Sequence, residues 1–144
     1  MIVLDSDIAI SLLHKQISIE TLISLIKENE VLSISSPSVY ELYFGLYKLK
    51  RTKGVSLNLP KWQQELNGIE KLTKIIPVLD FNYLSAKLSA DIYTDLVSKG
   101  KTIGLFDCMI ASVVIVHGGR GIITGNKKHF ERIEKLEIIE ISKK

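Results

Sequence analysis

The sequence predicts a single α/β domain, residues 1–144, with a mostly parallel central sheet flanked by helices. Three observations carry that reading. Short apolar runs alternate with longer stretches of helical periodicity along the whole chain. The first run, Ile2-Val3-Leu4, is apolar on both faces, as a strand covered from both sides must be. The length of 144 residues suits one domain, and no repeat, low-complexity tract or linker interrupts it.

The elements follow in order. Residues 2–4 form a buried strand, and Asp5-Ser6-Asp7 offers N-cap side chains for a short helix through about Leu13. Ile19, Leu22, Ile23 and Ile26 have helical spacing, and residues 31–34 form a second strand. Ser36-Pro37 opens the next helix, with proline in its first turn, and it runs to about Lys50. Residues 51–59 read as a loop, after which Pro60 opens a helix striped by Trp62, Leu66, Ile69 and Leu72. Residues 75–79 read as a strand placed near a sheet edge by Pro77, which cannot donate to a ladder. Leu84, Leu88, Ile92 and Leu96 stripe a long helix that Gly100 is placed to end. Residues 105–117 form a helix apolar nearly all round. A strand at 121–124, a short helix at 127–133 and a last strand at 137–141 complete the chain.

Composition narrows the function classes. Hydrophobic residues make up 46% and charged residues 24%, enough for a real core without staples. The single cysteine, Cys108, excludes an internal disulfide and a cysteine-rich zinc site, and fits a reducing cytosol. The start has no basic leader, so no signal peptide is expected. The longest apolar stretch, residues 109–116, is too short to span a bilayer. The net charge of +3 permits a polyanionic partner without requiring one.

The informative residues are acids in apolar surroundings. Asp5 ends the buried first strand, Glu41 lies in Val39-Tyr40-Glu41-Leu42-Tyr43-Phe44, and Asp107 opens the most apolar helix. An isolated buried carboxylate costs on the order of several kcal/mol unless it is neutralised or paired. The sequence places no basic residue beside any of the three. One divalent cation would satisfy all of them, and hard oxygen ligands suit Mg²⁺, with Mn²⁺ as a substitute. Each acid also has a plainer reading. Asp5 suits an N-cap, Glu41 a Ser38-x-x-Glu41 capping box, and Asp107 a helix N-terminus through the macrodipole. Asp7 is read as a cap or loop brace rather than a ligand.

Four segments together resemble the PIN-domain family, and within it the VapC-type toxins of prokaryotic toxin–antitoxin pairs. They are Ile2-Val3-Leu4-Asp5-Ser6-Asp7, Ser35-x-x-Ser38-x-x-Glu41-Leu42, Asp107-x-x-Ile110-Ala111 and Thr124-Gly125-Asn126-Lys127-Lys128-His129-Phe130. The resemblance covers nearly the whole chain and implies a three-layer PIN-like fold. It also implies a metal-dependent endoribonuclease, usually dimeric and held inactive by a cognate antitoxin. By position, Asp5, Glu41 and Asp107 match the family's acidic ligands. Asn126 matches a fourth position that is Asp or Asn, and Thr124 a polar residue supporting the site. Two departures stand out: Asn126 brings no charge, and His129 stands where an Asp before Phe130 is common. His129 is read as a helix-packing detail, and His14 and His117 as surface or core residues.

On this reading RNA hydrolysis leaves a 5′-phosphate and a 3′-hydroxyl. Lys127 and Lys128 are the expected backbone contacts. Lys48, Lys50, Arg51 and Lys53 are either further contacts or a solvated basic helix end. Tyr40, Tyr43, Phe44 and Tyr47 form a stripe that reads mainly as core, otherwise as a groove or dimer surface.

Two other readings stand beside it. Asp5-Ser6-Asp7 after an apolar strand also fits a haloacid-dehalogenase-like phosphohydrolase, but that leaves Glu41 unexplained and the late acidic pair missing. A PIN-like scaffold that binds RNA or protein without cutting is the non-enzyme reading. Ser98-Lys99-Gly100-Lys101-Thr102 is like a phosphate loop, but Asp95 stands where the earlier glycine belongs, so it is read as a helix end.

Overall fold

A computed structural model describes residues 1–141. The elements are β1 (Ile2–Leu4), α1 (Ser6–Leu13), α2 (Ile19–Ile23), β2 (Leu32–Ser35), α3 (Ser36–Lys53), a 3₁₀ turn (Gly54–Ser56), α4 (Leu59–Ile75), β3 (Val78–Leu79), α5 (Tyr83–Ser98), α6 (Leu105–Val116), β4 (Gly121–Thr124), α7 (Lys127–Phe130) and β5 (Glu137–Glu140). The five strands lie in the order β3-β2-β1-β4-β5, and every neighbouring pair is parallel. The sheet is therefore wholly parallel, and α/β with flanking helices is the fold class observed.

Side chains alternate between the two faces of the sheet, and each face has its own core. Ile2, Leu4, Ile34 and Ile123 pack with Ile8, Leu42, Leu46, Trp62 and Ile69 from α1, α3 and α4. Ile122 packs on the other side with Leu96, Cys108, Ile110 and Phe130 from α5, α6 and α7. Each fully buried aliphatic side chain contributes roughly 1.5–3 kcal/mol. Three layers thus follow from a sheet covered by helices on both faces. Two hydrogen-bonded clusters tighten them: Trp62 Nε1 donates to Leu46 O at 2.9 Å, and Phe81 N donates to Ser36 Oγ at 2.9 Å.

Several boundaries differ from expectation. Residues 51–53 continue α3, because basic residues suit a helix C-terminus and Gly54, at φ 50°, supplies the stop. The expected loop shrinks to one 3₁₀ turn and two residues. Helix α4 runs on through Ile75, so β3 keeps only Val78–Leu79, at the sheet edge beside Pro77. α2 ends at Ile23 and α7 at Phe130, both shorter than their apolar spacing predicted.

The amino ends of the strands carry a clamp. Arg120, just before β4, forms a two-pronged pair with Glu30, with Nε at 2.9 Å from Oε1 and Nη2 at 2.7 Å from Oε2. It also pairs with Glu137 at the start of β5. The Arg120 guanidinium holds the Glu30 carboxyl down to about 2. Beside the clamp, a Cβ on Gly121 would lie 1.9 Å from Glu137 O, so only glycine lets β4 and β5 approach here.

Among the described residues no helix is long and apolar enough to cross a membrane.

Candidate active site

Strand order reverses between β1 and β4: the chain builds outward through β2 and β3 on one side, then returns to add β4 and β5 on the other. In open parallel sheets ligands gather at the carboxyl ends of the strands at such a reversal. The residue after β1 is Asp5 and the last of β4 is Thr124. Asp5 N donates to Ile123 O at 2.9 Å, which sets the two side by side.

Asp5 is 5% exposed, and both its carboxylate oxygens are engaged. Oδ1 accepts from Ser6 N at 2.7 Å, and Oδ2 accepts from the buried Thr124 hydroxyl at 2.7 Å. Asp5 is therefore the N-cap of α1, as its plainer reading held, and it also faces the carboxyl edge of the sheet. Asp7, expected as a possible cap, lies in the first turn of α1. Its carboxylate accepts from Gly125 N at 3.1 Å, bracing the loop after β4. Burial pushes the Asp5 carboxyl up to about 7 against the opposing pull of the Thr124 hydroxyl, and the charges of Asp7 and Asp107 push the same way.

Glu41 is not in a capping box. The cap of α3 is Ser35, whose Oγ accepts from Ser38 N at 3.2 Å. Glu41 lies one turn further on, half-buried, with a hydrogen bond from Ser6. Its carboxyl is raised by burial, and further by the charges of Asp107 and Asp7. Asp107 is raised by burial too, offset by His129 and by the Gly104 N–H. Mutual repulsion among Asp5, Asp7, Glu41 and Asp107 thus marks one acidic neighbourhood drawn from β1, α1, α3 and α6.

The expectation that no basic residue stands beside these acids needs correction. His129 Nδ1 lies 2.9 Å from Asp107 Oδ2, and an N–H there donates to the carboxylate. Nor is His129 a helix-packing detail: its side chain is exposed on one side and turned to the acids on the other. Asn126 Nδ2 lies 3.0 and 2.9 Å from the two ring nitrogens, and Asn126 N donates to Thr124 Oγ1 at 2.9 Å. A polar chain therefore runs Asp5–Thr124–Asn126–His129–Asp107. Lys127 and Lys128 are exposed on α7 in the same segment.

Sequence reasoning also missed Gly104. A Cβ there would meet Asp107 Oδ2 at 2.7 Å, where the Gly104 N–H now reaches the carboxylate. Glycine before a helix whose third residue is acidic was the available signal. Gly104→Ala is expected to displace Asp107 and lower turnover about tenfold or more while the far-ultraviolet circular dichroism stays unchanged.

The remaining candidates lie apart from the acids. His14 approaches Glu65 at 3.8 Å, and His117 Nε2 meets Asp80 O at 3.0 Å. Gly100 follows the end of α5 at φ 65°, so the lysine-rich segment there is a helix end. A cleft of about 490 Å³ between α1, α3 and α4 touches the acidic neighbourhood only through Glu41.

The donor set fits a hard divalent cation in kind: three carboxylates, largely buried and repelling one another, at the carboxyl edge of a parallel sheet. Among the described residues, however, no three carboxylate, histidine or cysteine side chains are gathered into a ready-made ion cage.

Acids that raise one another's pKa thus lie near the reversal point of a wholly parallel five-stranded sheet. A sequence profile of the PIN domain matches residues 2–136, and the chain belongs to that family. It is 36% identical over 76 residues to Ribonuclease VapC1 of Rickettsia felis, covering 53% of this chain and 56% of that protein. It is thus aligned to little more than half the length of that relative. It is 32% identical over 103 residues to the tRNA(fMet)-specific endonuclease VapC of Shigella flexneri, covering 72% of this chain and 70% of that one. Among solved structures it is similar to VapBC2 from Rickettsia felis bound to a promoter DNA fragment. The TM-score is 0.81 at 26% identity, over 99% of this chain and 100% of that one.

Proposed function

We propose that this protein is a VapC-type toxin, a Mg²⁺-dependent endoribonuclease that hydrolyses single-stranded or looped RNA in the cytoplasm. A cognate antitoxin and a second copy of the chain are its protein partners. The observation that carries the reading is the set of three burial-raised carboxylates, Asp5, Glu41 and Asp107, where the strand order reverses. The names of its relatives support it.

Asp5, Glu41 and Asp107 would hold Mg²⁺, or Mn²⁺ in its place, which when bound supplies positive charge to the scissile phosphate and acidifies the attacking water. The rest is the work of this chain. The Thr124 hydroxyl and Ser6 N–H fix the Asp5 carboxylate, and Gly104 N–H fixes Asp107. Asp7 ties the loop carrying Asn126 to α1 through Gly125. Glu41, raised and only half enclosed, is suited to take the proton from water. The 3′-oxygen of the substrate then leaves in line, giving a 3′-hydroxyl and a 5′-phosphate. Lys127 and Lys128 hold flanking phosphates.

The histidines support this route. A metal-free ribonuclease needs an acid–base pair, and His14, His117 and His129 have separate partners. The test is cleavage of a labelled RNA in Mg²⁺ and in chelator, with end-group analysis. Loss in chelator, recovery with Mg²⁺ and 3′-hydroxyl ends are expected. Cyclic 2′,3′-phosphate ends, or full activity in chelator, would sink the reading. Metal binding without cleavage of any RNA would favour the scaffold.

A further inference from the structure

We infer that the exposed face of α3 is a stacking platform for the bases of single-stranded RNA, running from the acids toward a basic helix end. The inference rests on the ribonuclease reading for its ligand, and on separate residues for its geometry.

Phe106, Tyr40 and Phe44 form a continuous stack. Phe106 and Tyr40 lie 5.1 Å apart between ring centres with planes at 15°, and Tyr40 and Phe44 lie 5.9 Å apart at 14°. The stack is not core, which corrects the main expectation for this stripe. Tyr40 is 54% exposed and Phe44 53% exposed. Large aromatic rings left this open in a row need a partner with flat apolar faces. Tyr40 and Phe44 line a groove of about 460 Å³ together with Tyr43, Tyr47, Lys48 and Arg51.

Two features choose nucleic acid as that partner. The first is position. Phe106 and Asp107 share the first turn of α6, and Tyr40 and Glu41 share α3, so the two helices that carry the stack also carry two of the three acids. The second is charge. From residue 42 through residue 64 the chain has no acid, while Lys48, Lys50, Arg51 and Lys53 gather at the end of α3. Lys48 Nζ lies 5.8 Å from the Phe44 ring centre, at the far end of the stack. Flat rings that every base can stack upon, flanked by cations for the backbone, are what a single strand requires. A strand laid along the stack would place bases on Tyr40 and Phe44, phosphates near Lys48 and Arg51, and one phosphodiester at the carboxylates.

The experiment measures binding of a fluorescent single-stranded RNA of about eight nucleotides, and of an abasic strand of equal length and charge, in chelator to prevent cleavage. Tyr40→Ala and Phe44→Ala are expected to weaken RNA binding roughly five- to hundredfold each. They should leave abasic-strand binding unchanged, and Tyr40→Phe and Phe44→Tyr should restore RNA binding. Both rings are half-exposed, so the alanine variants should fold, and circular dichroism checks this. Equal RNA affinity in variant and native protein would overturn the platform, even if native protein cleaves RNA. Strong base-dependent binding by a protein that cleaves nothing would leave the platform standing and overturn the ribonuclease reading instead. Conversion of a native dimer to monomer by Tyr40→Ala, read by light scattering, would assign the face to a second copy and overturn the inference.

Discussion

Asp5→Asn is expected to abolish RNA cleavage and at the same time to make the metal-free protein more stable near pH 8. The two outcomes have one cause. In the folded chain the Asp5 carboxyl titrates at about 7 against 3.8 for the group in solvent. Between those values the folded state keeps a proton that the unfolded state has released, so stability falls as pH rises through the interval and stays low above it. Asparagine removes that penalty. Its amide can still accept from Ser6 N and pair with the Thr124 hydroxyl, so the cap survives. Thermal melts without metal should show the variant a few degrees higher at pH 8 and level with native protein near pH 4. Adding Mg²⁺ should raise the native melting point and do less for the variant. A variant that melts lower than native protein at pH 8 would show that the carboxylate is chiefly a structural brace.

The second large effect separates two chemistries at neighbouring acids. Glu41→Gln is expected to lower turnover about a hundredfold or more, whereas Asp7→Asn keeps substantial Mg²⁺-dependent cleavage. Asp7 accepts a hydrogen bond from Gly125 N, and an amide oxygen can do the same. The variant would lose only a charge from the first turn of α1, worth roughly 0.3–1 kcal/mol. In an Asp-x-Asp phosphohydrolase the outcome would reverse, because the second acid must pass a proton and Glu41 has no task. PIN-family membership already leaves that reading without support. An inactive Asp7→Asn beside a fully active Glu41→Gln would nevertheless require the nuclease assignment to be abandoned.

Much of the fold was legible because burial on both faces leaves a plain mark. Ile2-Val3-Leu4 and the apolar run after Asp107 could be nothing but interior, and the acids stood out against them. Boundaries were harder to read where local signals compete. Arg51 and Lys53 look like loop residues but suit a helix end, and Pro77 shortened β3 while α4 took Ile75. At the site, residue types alone singled out the three acids as candidates. They could not expose His129, which reaches Asp107 across 22 positions of sequence, nor Gly104, whose role is to have no side chain. The Arg120–Glu30 pair spans 90 positions and was equally invisible. Tyr40, Phe44 and Tyr47 were misread as core, where only Tyr43 of the stripe packs, because helical spacing does not say which face is covered.

The place of β1 in the sheet has a consequence for how the protein comes into being. β1 pairs with β2 two short helices later, Ile2 opposite Leu32, but its other edge waits for β4, with Ile2 opposite Gly121. Contacts between such distant positions form slowly, because a long loop must close before they reward it. A growing chain therefore carries Asp5 for about a hundred residues of further synthesis before Asp107 and Thr124 join it. Catalytic competence would arrive abruptly and late, when β4 docks against β1, and a truncated chain ending before β4 would be harmless to RNA.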